Sequence, residues 1–329
     1  MSTTPARLSI VVPCYNEEAA LPVTVERLTS LLEALIARGI VTGESALYFV
    51  DDGSADRTWS LIESCAHRNG RVHGIKLSRN RGHQNALLAG LLNAPGDAVV
   101  SIDADLQDDV VAIERMLEAH AQGAQIVLGV RRARVHDTWF KRFSAEQYYR
   151  WLQRFGVEVV YNHADYRLMG RRAIEALRGY EEVNLFLRGI VPQLGFRTAI
   201  VEYDRAARIA GHTRYPLRRM VSLAWEGVTS FSAVPLRFIT GLGVAVSAVS
   251  LGFAAWALAA KLFGDQALPG WASTVVPIYF LGGVQLLCLG IIGEYLAKIY
   301  AEVKRRPRYV IEAKTAGAQG QPVRESPAG

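Results

Sequence analysis

The sequence predicts an α/β fold, a mostly parallel sheet covered by helices and followed by two membrane-spanning helices. Three observations lead to this prediction. Over residues 1–131, short apolar runs alternate with segments of helical periodicity, which is the pattern of βαβ units. Polar residues directly follow most of these apolar runs. Near the carboxyl terminus, two long stretches, 238–260 and 266–293, contain no charged residue.

Five strands and four helices are predicted in the first part of the chain. The strands are LSIVVPCYN (8–16), SALYFVDDGS (45–54), VHGIKLS (72–78), AVVSIDAD (98–105) and AQIVLGVR (124–131). The helices are 17–39, 56–69, 82–94 and 109–123. Ligands of such sheets bind at the carboxyl ends of the strands. The candidate site residues at those ends are Tyr15, Asn16, Asp51, Asp52, Asp103, Asp105 and Arg131.

Each uncharged stretch is long enough to cross a membrane, which takes about 20 apolar residues in a helix. The loop between them, 261–271, holds only Lys261 and Asp265 as charged residues, whereas basic residues lie on both outer sides. These are Arg218, Arg219, Arg237, Lys298, Lys304, Arg305, Arg306 and Arg308. The positive-inside rule then predicts a multi-pass protein of the cytoplasmic membrane with both termini in the cytoplasm. Residues 1–9 lack a signal-peptide pattern, which agrees with this expectation. Two buried helices of a soluble core are the alternative, which uncharged runs of this length disfavour.

The net charge of +6 results from 37 Lys and Arg residues against 31 Asp and Glu residues. Because many basic residues flank the uncharged stretches, we attribute this charge to attraction for membrane lipid headgroups and expect no nucleic-acid partner. The three cysteines, Cys14, Cys65 and Cys288, are scattered and predict neither a disulfide framework nor a metal knuckle.

Two further segments have the periodicity of amphipathic helices with aromatic and basic residues, 136–155 and 216–234. Such helices suit the headgroup layer of a membrane, although ordinary surface helices are the alternative. The predicted organisation is a catalytic domain over 1–215, a juxtamembrane helix over 216–234, two spans within 235–297 and a basic cytoplasmic tail over 298–329. The composition of the tail from Lys314 onward is typical of disorder.

The acids of SIDADLQDD (101–109) directly follow an apolar run. Asp103 and Asp105 are hard oxygen ligands at a strand end, which suit Mg²⁺ or Mn²⁺. A lone D-x-D is a weak signal, because surface acids explain most of them. Asp108 and Asp109 are interpreted as the cap and first turn of the next helix.

Three motifs in one βαβ domain, IVVPCYNEE, VDDGSADRT and SIDADLQDD, resemble those of the family 2 glycosyltransferases, inverting enzymes with a GT-A fold. Four later segments extend the resemblance to the polyprenyl-phosphate glycosyltransferases. They are SRNRGHQNALLAGL (78–91), ADYRLMGRRA (164–173), GHTRYPLRRM (211–220) and GIIGEYLAKIYAEVKRRPRYVI (290–311). That group includes the bactoprenol glucosyltransferases and is similar to dolichol-phosphate mannose synthase. The match covers about residues 7–312.

The resemblance implies a donor site for a nucleotide sugar. Pro13, Tyr15 and Glu17 match the positions that cradle the nucleoside. Asp52, with the backbone at Val50, would accept hydrogen bonds from the base, which leaves uracil and guanine open. Asp51 is interpreted as a turn cap. Asp103 and Asp105 would face the diphosphate through a Mg or Mn ion, Ala104 would allow close approach, and Gln107 would bond the donor or the metal shell.

The resemblance also implies an acceptor site for a lipid phosphate. Arg131, Arg208 and Arg214 match basic positions that would hold phosphate, and solvated surface arginines are the alternative. Asp165 matches an acid beside the acceptor, which would orient the phosphate or take its residual proton, and Arg167 is interpreted as its structural ion-pair partner. For His83, a role near the donor and a helix-capping role remain open.

The implied activity is transfer of one hexose, glucose from UDP-glucose in the leading hypothesis, to undecaprenyl phosphate at the cytoplasmic leaflet. The lipid-linked sugar would serve surface polysaccharide modification, after transfer across the membrane by a separate flippase. A homo-oligomer, including a tetramer, is expected. The alternatives are another sugar (N-acetylglucosamine, galactose, mannose or aminoarabinose), a non-catalytic membrane scaffold or sensor, and a processive polysaccharide synthase. The last alternative expects more than two spans.

Overall fold

The computed structural model describes residues 5–132, 163–183, 185–204, 234–263 and 271–315. Eight strands form one sheet. In chain order they are β1 (Leu8–Cys14), β2 (Ala46–Asp51), β3 (Val72–Leu77), β4 (Ala98–Ser101), β5 (Ile126–Arg131), β6 (His163–Gly170), β7 (Thr198–Tyr203) and β8 (Ile311–Lys314). Their order across the sheet is β7-β5-β6-β4-β1-β2-β3-β8.

The predicted mostly parallel sheet is confirmed. Strand β1 pairs in parallel with β2 and β4, β2 with β3, and β5 with β7. Two strands run the other way. Strand β6 lies antiparallel between β4 and β5, and β8 lies antiparallel beside β3. The direction of β6 has a consequence for the site, because its first residues lie at the edge where the parallel strands end.

Among the described residues, six helices belong to the sheet-containing part of the chain. They are α1 (Leu21–Ala37), α2 (Thr58–Arg68), α3 (His83–Asn93), α4 (Ala112–Ala121), α5 (Arg171–Arg178) and α6 (Leu187–Gln193). The first four match the predicted helices with shorter ends. None of α5, α6, β6, β7 and β8 was predicted from the sequence. Strand β4 ends at Ser101, so the D-x-D residues lie in the loop that follows it.

The core lies between the sheet and these helices. Every residue of β1 and β2 is buried, which matches their unbroken apolar sequences. Each fully buried Leu, Ile or Val side chain contributes roughly 1.5–3 kcal/mol to stability. Helix α3 approaches β1 closely, because a Cβ atom at Gly90 would overlap the side chain of Val11. This close packing fixes α3, whose first residues reach the carboxyl edge of the sheet.

The carboxyl-terminal segment joins the sheet, which the sequence did not predict. Residues 311–314, assigned from the sequence to a tail, form β8 on the edge of β3. Lys76 pairs with Glu312 at 3.0 Å, and the amide of Gly74 donates to Thr315 Oγ1 at 2.9 Å. The prediction failed because a four-residue strand at a sheet edge is too short to show a period of its own.

Helices α7 (Val234–Phe263) and α8 (Trp271–Val303) belong to a second unit. Among the residues that the structure describes, one stretch is long and apolar enough to cross a membrane, the 24 residues Phe280–Val303. The described side chains of α7 include a further apolar run, Phe238–Ser250. The prediction of two spans is not confirmed.

The predicted amphipathic helix at 136–155 lies outside the described residues, as does residue range 216–233 of the second one. The part of the tail beyond residue 315 also lies outside them.

Candidate functional site

The turns after β1 and β2 are bonded to each other at the carboxyl edge of the sheet. The amide of Asn16 donates to Ser54 Oγ at 3.0 Å, and Asn16 Oδ1 accepts from the amide of Ala55 at 2.9 Å. Asn16 has a φ of 54°, a left-handed conformation that asparagine tolerates better than most residues. The turns therefore form one surface at the end of the central strands.

The predicted nucleoside residues lie on or beneath this surface. Tyr15 is exposed directly after β1, and Glu17 is half-buried, with its amide donating to Thr58 Oγ1 at 2.9 Å. Pro13 and Val50 are buried partners in the β1–β2 register. Tyr15 thus presents an open aromatic ring, whereas the side chains of Pro13 and Val50 support the floor of the sheet.

The two acids of VDDGS have different tasks. The amide of Ser54 donates to Asp51 Oδ1 at 3.3 Å, which confirms the turn-cap interpretation. The carboxylate of Asp52 accepts from the amides of Arg81 and Gly82, at 2.7 and 2.9 Å. Burial raises the pKa of Asp52, and these two amide bonds oppose the rise. Asp52 therefore fixes the loop that leads into α3, a task that the sequence did not predict.

The D-x-D loop follows β4 at the same edge. The side chain of Asp103 is 39% exposed and Asp105 is half-buried, whereas Ala104 is buried and its carbonyl accepts from Thr24 Oγ1 at 2.7 Å. The amide of Gln107 donates to Asp105 Oδ1 at 3.3 Å, and Gln107 Nε2 is buried without a hydrogen-bond partner. Both acids of the motif are thus partly exposed, while the residue between them anchors the loop.

His83 connects the D-x-D loop with Asp165. It is the first residue of α3, and its Nε2 lies 3.6 Å from Asp103 Oδ1 and 3.5 Å from Asp165 Oδ2. Burial alone would lower the pKa of His83, but the hydrogen bond with Asp165 and the charges of both acids raise it. Of the two roles left open for His83, the structure favours the one within the site.

Asp165 lies near the start of β6, within a cluster of cations and amides. Arg167 Nη2 donates to Oδ1 at 2.5 Å, which confirms Arg167 as its ion-pair partner. Arg188 donates from Nε to Oδ1 at 3.2 Å and from Nη2 to Oδ2 at 3.0 Å, and Gln84 Nε2 donates to Oδ2 at 3.2 Å. Burial alone would raise the pKa of Asp165. The hydrogen bond with His83 and the charges of Arg167 and Arg188 instead hold it well below the usual range.

Arg131 lies at the end of β5, where its guanidinium is bonded to two buried groups. Its Nη2 lies 3.2 Å from Asp108 Oδ1, and its Nε donates to the Tyr203 hydroxyl at 3.2 Å. That hydroxyl also donates to Asp108 Oδ1 at 2.7 Å. The predicted helix-capping role of Asp108 is therefore wrong. Asp108 points into the protein because Arg131 and Tyr203 supply partners there, while Asp109 Oδ1 accepts from the Val111 amide at 3.0 Å, before α4 begins.

The residues that could hold a divalent metal ion are Asp103 and Asp105. In the described part of the chain, no group of three or more His, Cys, Asp or Glu side chains converges as a metal cluster. Burial raises the pKa of Asp103, and the nearby charges of Asp165, Asp108 and Asp105 raise it further, against His83. Asp103 and Asp105 are partly exposed carboxylates with further acids nearby. They fit a hard cation such as Mg²⁺ or Mn²⁺, whose remaining ligands would come from phosphate or water.

The predicted acceptor residues Arg208 and Arg214 lie outside the described residues. Gln84 and Arg188 reach the site although the sequence analysis did not select them. Gln84 is adjacent to His83 in the quoted segment RNRGHQ, which was a usable signal. Arg188 belongs to no motif, and only the packing of α6 beside β6 brings it to Asp165.

The sequence profile of the family described as "Glycosyl transferase family 2" matches residues 9–178, which include all but the first residue of β1 and the whole of β2 to β6. An uncharacterized glycosyltransferase of Bacillus subtilis is 49% identical over 318 residues, 96% of this chain and 94% of the relative. A bactoprenol glucosyl transferase of Shigella phage SfII is 39% identical over 312 residues, 94% of this chain and 99% of the relative. A prophage bactoprenol glucosyl transferase homolog of Escherichia coli is 38% identical over 307 residues, 93% and 98% of the two chains.

The family profile covers the turns after β1 and β2, the D-x-D loop, His83 and Asp165, which are the parts that meet at the carboxyl edge of the sheet. The relatives match beyond the profile, over nearly the whole chain. The protein is a transferase with the GT-A α/β fold, and it belongs to glycosyl transferase family 2.

Proposed function

We propose that the protein transfers one glucose residue from UDP-glucose to undecaprenyl phosphate at the cytoplasmic leaflet of the membrane. The observation that carries this proposal is the meeting of two kinds of charge at one sheet edge. Asp103 and Asp105 reach the surface there, and the cationic residues around Asp165 lie beside them. The names of the relatives, bactoprenol glucosyl transferases at 38–39% identity, support the sugar and the lipid acceptor.

The donor would lie across the turns after β1 and β2, with its base beside the exposed ring of Tyr15. Asp103 and Asp105 would hold Mg²⁺ or Mn²⁺, which when bound would offset the negative charge of the diphosphate. Gln107 lies two residues after Asp105. Its buried Nε2 has no hydrogen-bond partner, and we propose that it donates to the bound nucleotide sugar or to a ligand of the metal.

The acceptor phosphate would attack the anomeric carbon from the face opposite the diphosphate. A bond forms between a phosphate oxygen and the anomeric carbon, the bond from that carbon to the UDP oxygen breaks, and the configuration inverts. A phosphate monoester is already largely ionised at pH 7, so the step needs positive charge to hold the anion more than a strong base. Arg131 and the arginines at 208 and 214 are proposed to supply such charge.

A membrane location suits an acceptor with a very long apolar chain. The stretch Phe280–Val303 is a candidate anchor by length and composition. Lys304, Arg305 and Arg306 directly follow α8 in the chain, and by the positive-inside rule we propose that this end of the helix lies in the cytoplasm. The product would then need a separate flippase.

The proposal is tested with the purified full chain in detergent, undecaprenyl phosphate, Mg²⁺ or Mn²⁺, and a panel of radiolabelled nucleotide sugars. We expect one labelled lipid carrying a single sugar, formed from UDP-glucose and lost on chelation of the metal. Preference for another nucleotide sugar refutes the assigned donor, and a polymer indicates a processive synthase. Failure of every donor to label the lipid, in protein that still binds UDP, refutes the acceptor.

A further inference from the structure

Arg188 is a site residue that no sequence motif includes and to which the proposed mechanism assigns no contact with a substrate. It is the second residue of α6, and its side chain is 40% exposed. Its guanidinium lies against Asp165, which is itself only 7% exposed. The arginine thus borders the open side of the cluster, while the acid lies beneath it.

The contact between the two residues fixes the orientation of the guanidinium. Arg188 Nε donates to Oδ1 of Asp165 at 3.2 Å, and Nη2 donates to Oδ2 at 3.0 Å. This fork-to-fork arrangement adds a geometric constraint to the ion pair, and it restricts the orientation of the guanidinium plane. Phosphate oxygens are the other anions that this planar fork matches.

Asp165 is surrounded by donors on both carboxylate oxygens. In addition to Arg188, Oδ1 accepts from Arg167 Nη2 at 2.5 Å. Oδ2 accepts from Gln84 Nε2 at 3.2 Å and lies 3.5 Å from His83 Nε2. Gln84 is itself held, because its Oε1 accepts from the amide of Leu187 at 3.1 Å. A carboxylate in this environment would have to lose strong contacts before it accepted a proton from a substrate.

We propose that Arg188 binds a phosphate oxyanion in the site, and that Asp165 is a positioning residue that orients Arg188 rather than the group that deprotonates the acceptor. The oxyanion is a phosphate of the nucleotide donor or the phosphate of the lipid acceptor, and in the latter case the inference rests on the proposed function. In both cases the guanidinium of Arg188 lies close to the D-x-D loop. Arg188 contacts Asp165, and His83 contacts both Asp165 and Asp103.

The test compares Arg188→Gln and Arg188→Lys with the wild-type full chain in detergent. One arm measures UDP binding with Mn²⁺ by calorimetry, and the other measures binding of radiolabelled undecaprenyl phosphate by filtration. We expect Arg188→Gln to weaken one of these affinities by roughly 10- to 100-fold, since a charge-assisted hydrogen bond is lost. Arg188→Lys should recover part of the loss, because the charge remains and the fork does not. The affected arm identifies the source of the phosphate.

A matched control is Arg38→Gln. Arg38 also donates twice to one carboxylate, that of Glu114 at 2.9 and 2.5 Å, but this pair links the residue after α1 to α4 and includes no site residue. Its substitution should leave both affinities unchanged. Because both arms measure binding and not turnover, a transfer reaction that fails refutes the proposed function separately. Unchanged affinities in both arms for Arg188→Gln overturn the present inference.

Asp165→Asn tests the positioning role. It should lower the affinity for the same ligand as Arg188→Gln does. The double variant should bind that ligand no more weakly than the weaker single variant, because both substitutions disrupt the same Arg188–Asp165 pair. The opposite result is a loss of turnover in Asp165→Asn with both affinities intact and no change in Arg188→Gln. That result assigns Asp165 as the base and overturns the proposal. If Asp165→Asn does not fold, the two affinities of the Arg188 variants decide alone.

Discussion

At the residue scale, position relative to the site separates acids that look equivalent in the sequence. Asp105 and Asp109 both follow β4, but Asp105 belongs to the proposed metal site, while Asp109 caps the turn before α4. Asp105→Asn should abolish transfer with the fold intact, because it removes charge and almost no volume, at a cost of several kcal/mol in the transition state. Turnover at several Mn²⁺ concentrations, beside a thermal melt, measures this effect. Asp109→Asn is the control, and equal turnover of the two variants would contradict the metal assignment.

Gly53 combines a special backbone conformation with a close approach. Its φ is +68°, and an added Cβ atom would lie 2.6–2.8 Å from backbone atoms of Arg79 and Asn80. Gly39 has nearly the same φ, +69°, with nothing within 4 Å. Gly39→Ala should therefore lower the free energy of unfolding by about 1–2 kcal/mol, which is the cost of a left-handed backbone conformation for a residue with a Cβ atom. Gly53→Ala should cost clearly more, as measured by chemical denaturation. Equal costs would show that the loop after β3 can move away.

Asp165 should make stability depend on pH in the acid range. Its pKa is lowered in the folded protein, so its contribution is complete above the unfolded pKa of about 4 and is lost as the pH falls through the folded value. Asp165→Asn leaves Arg167 buried without its carboxylate and should cost about 3–5 kcal/mol at pH 7. The difference from wild type should shrink below pH 4, as denaturation at several pH values would show. A constant difference would mean that Asp165 is not ionised in the native protein.

At the element scale, β8 closes an edge of the sheet and binds other elements. Asn93, the last residue of α3, donates to the Tyr309 hydroxyl at 3.2 Å and accepts from Lys314 Nζ at 3.0 Å. Deletion of residues 308–329 should therefore lower the melting temperature and speed amide exchange in β3, whose edge would be unpaired. Deletion of 316–329 leaves every described contact and should change neither. Equal behaviour of the two deletions would show that β8 contributes no stability.

At the scale of the whole molecule, the sheet includes a segment that follows α7 and α8 in the chain, whereas the sequence analysis assigned that segment to a tail. A fragment that ends before Pro235 also lacks β8, so it should fold with reduced stability and still bind UDP. Its transfer to full-length undecaprenyl phosphate should fall sharply, and a short-chain, water-dispersed polyprenyl phosphate should restore part of the activity. Assays with both acceptors, beside size exclusion to monitor assembly, measure this effect. Equal activity on both acceptors would contradict a role of α7 and α8 in presenting the lipid.

The sequence by itself determined the parallel part of the fold and the residues at its strand ends. It could do so because apolar runs, helical periodicity and turn residues are local patterns, and parallel strands bring their carboxyl ends together wherever they occur. Tyr15, Asp103 and Asp105 were found in this way. The ion pair of Asp165 with Arg167 was also predicted, because the two residues lie two positions apart.

Only the tertiary structure decided the partners that lie far apart in the chain. Strand β6 runs antiparallel between β4 and β5, which brings Asp165 to His83, and α6 then adds Arg188. Asp108 resembles a helix cap in sequence but bonds to Arg131 and Tyr203, 23 and 95 residues away. Local sequence patterns do not predict such contacts. The donors that stabilise a buried carboxylate lie on neighbouring strands and helices, and the order of those strands in the sheet depends on the whole fold.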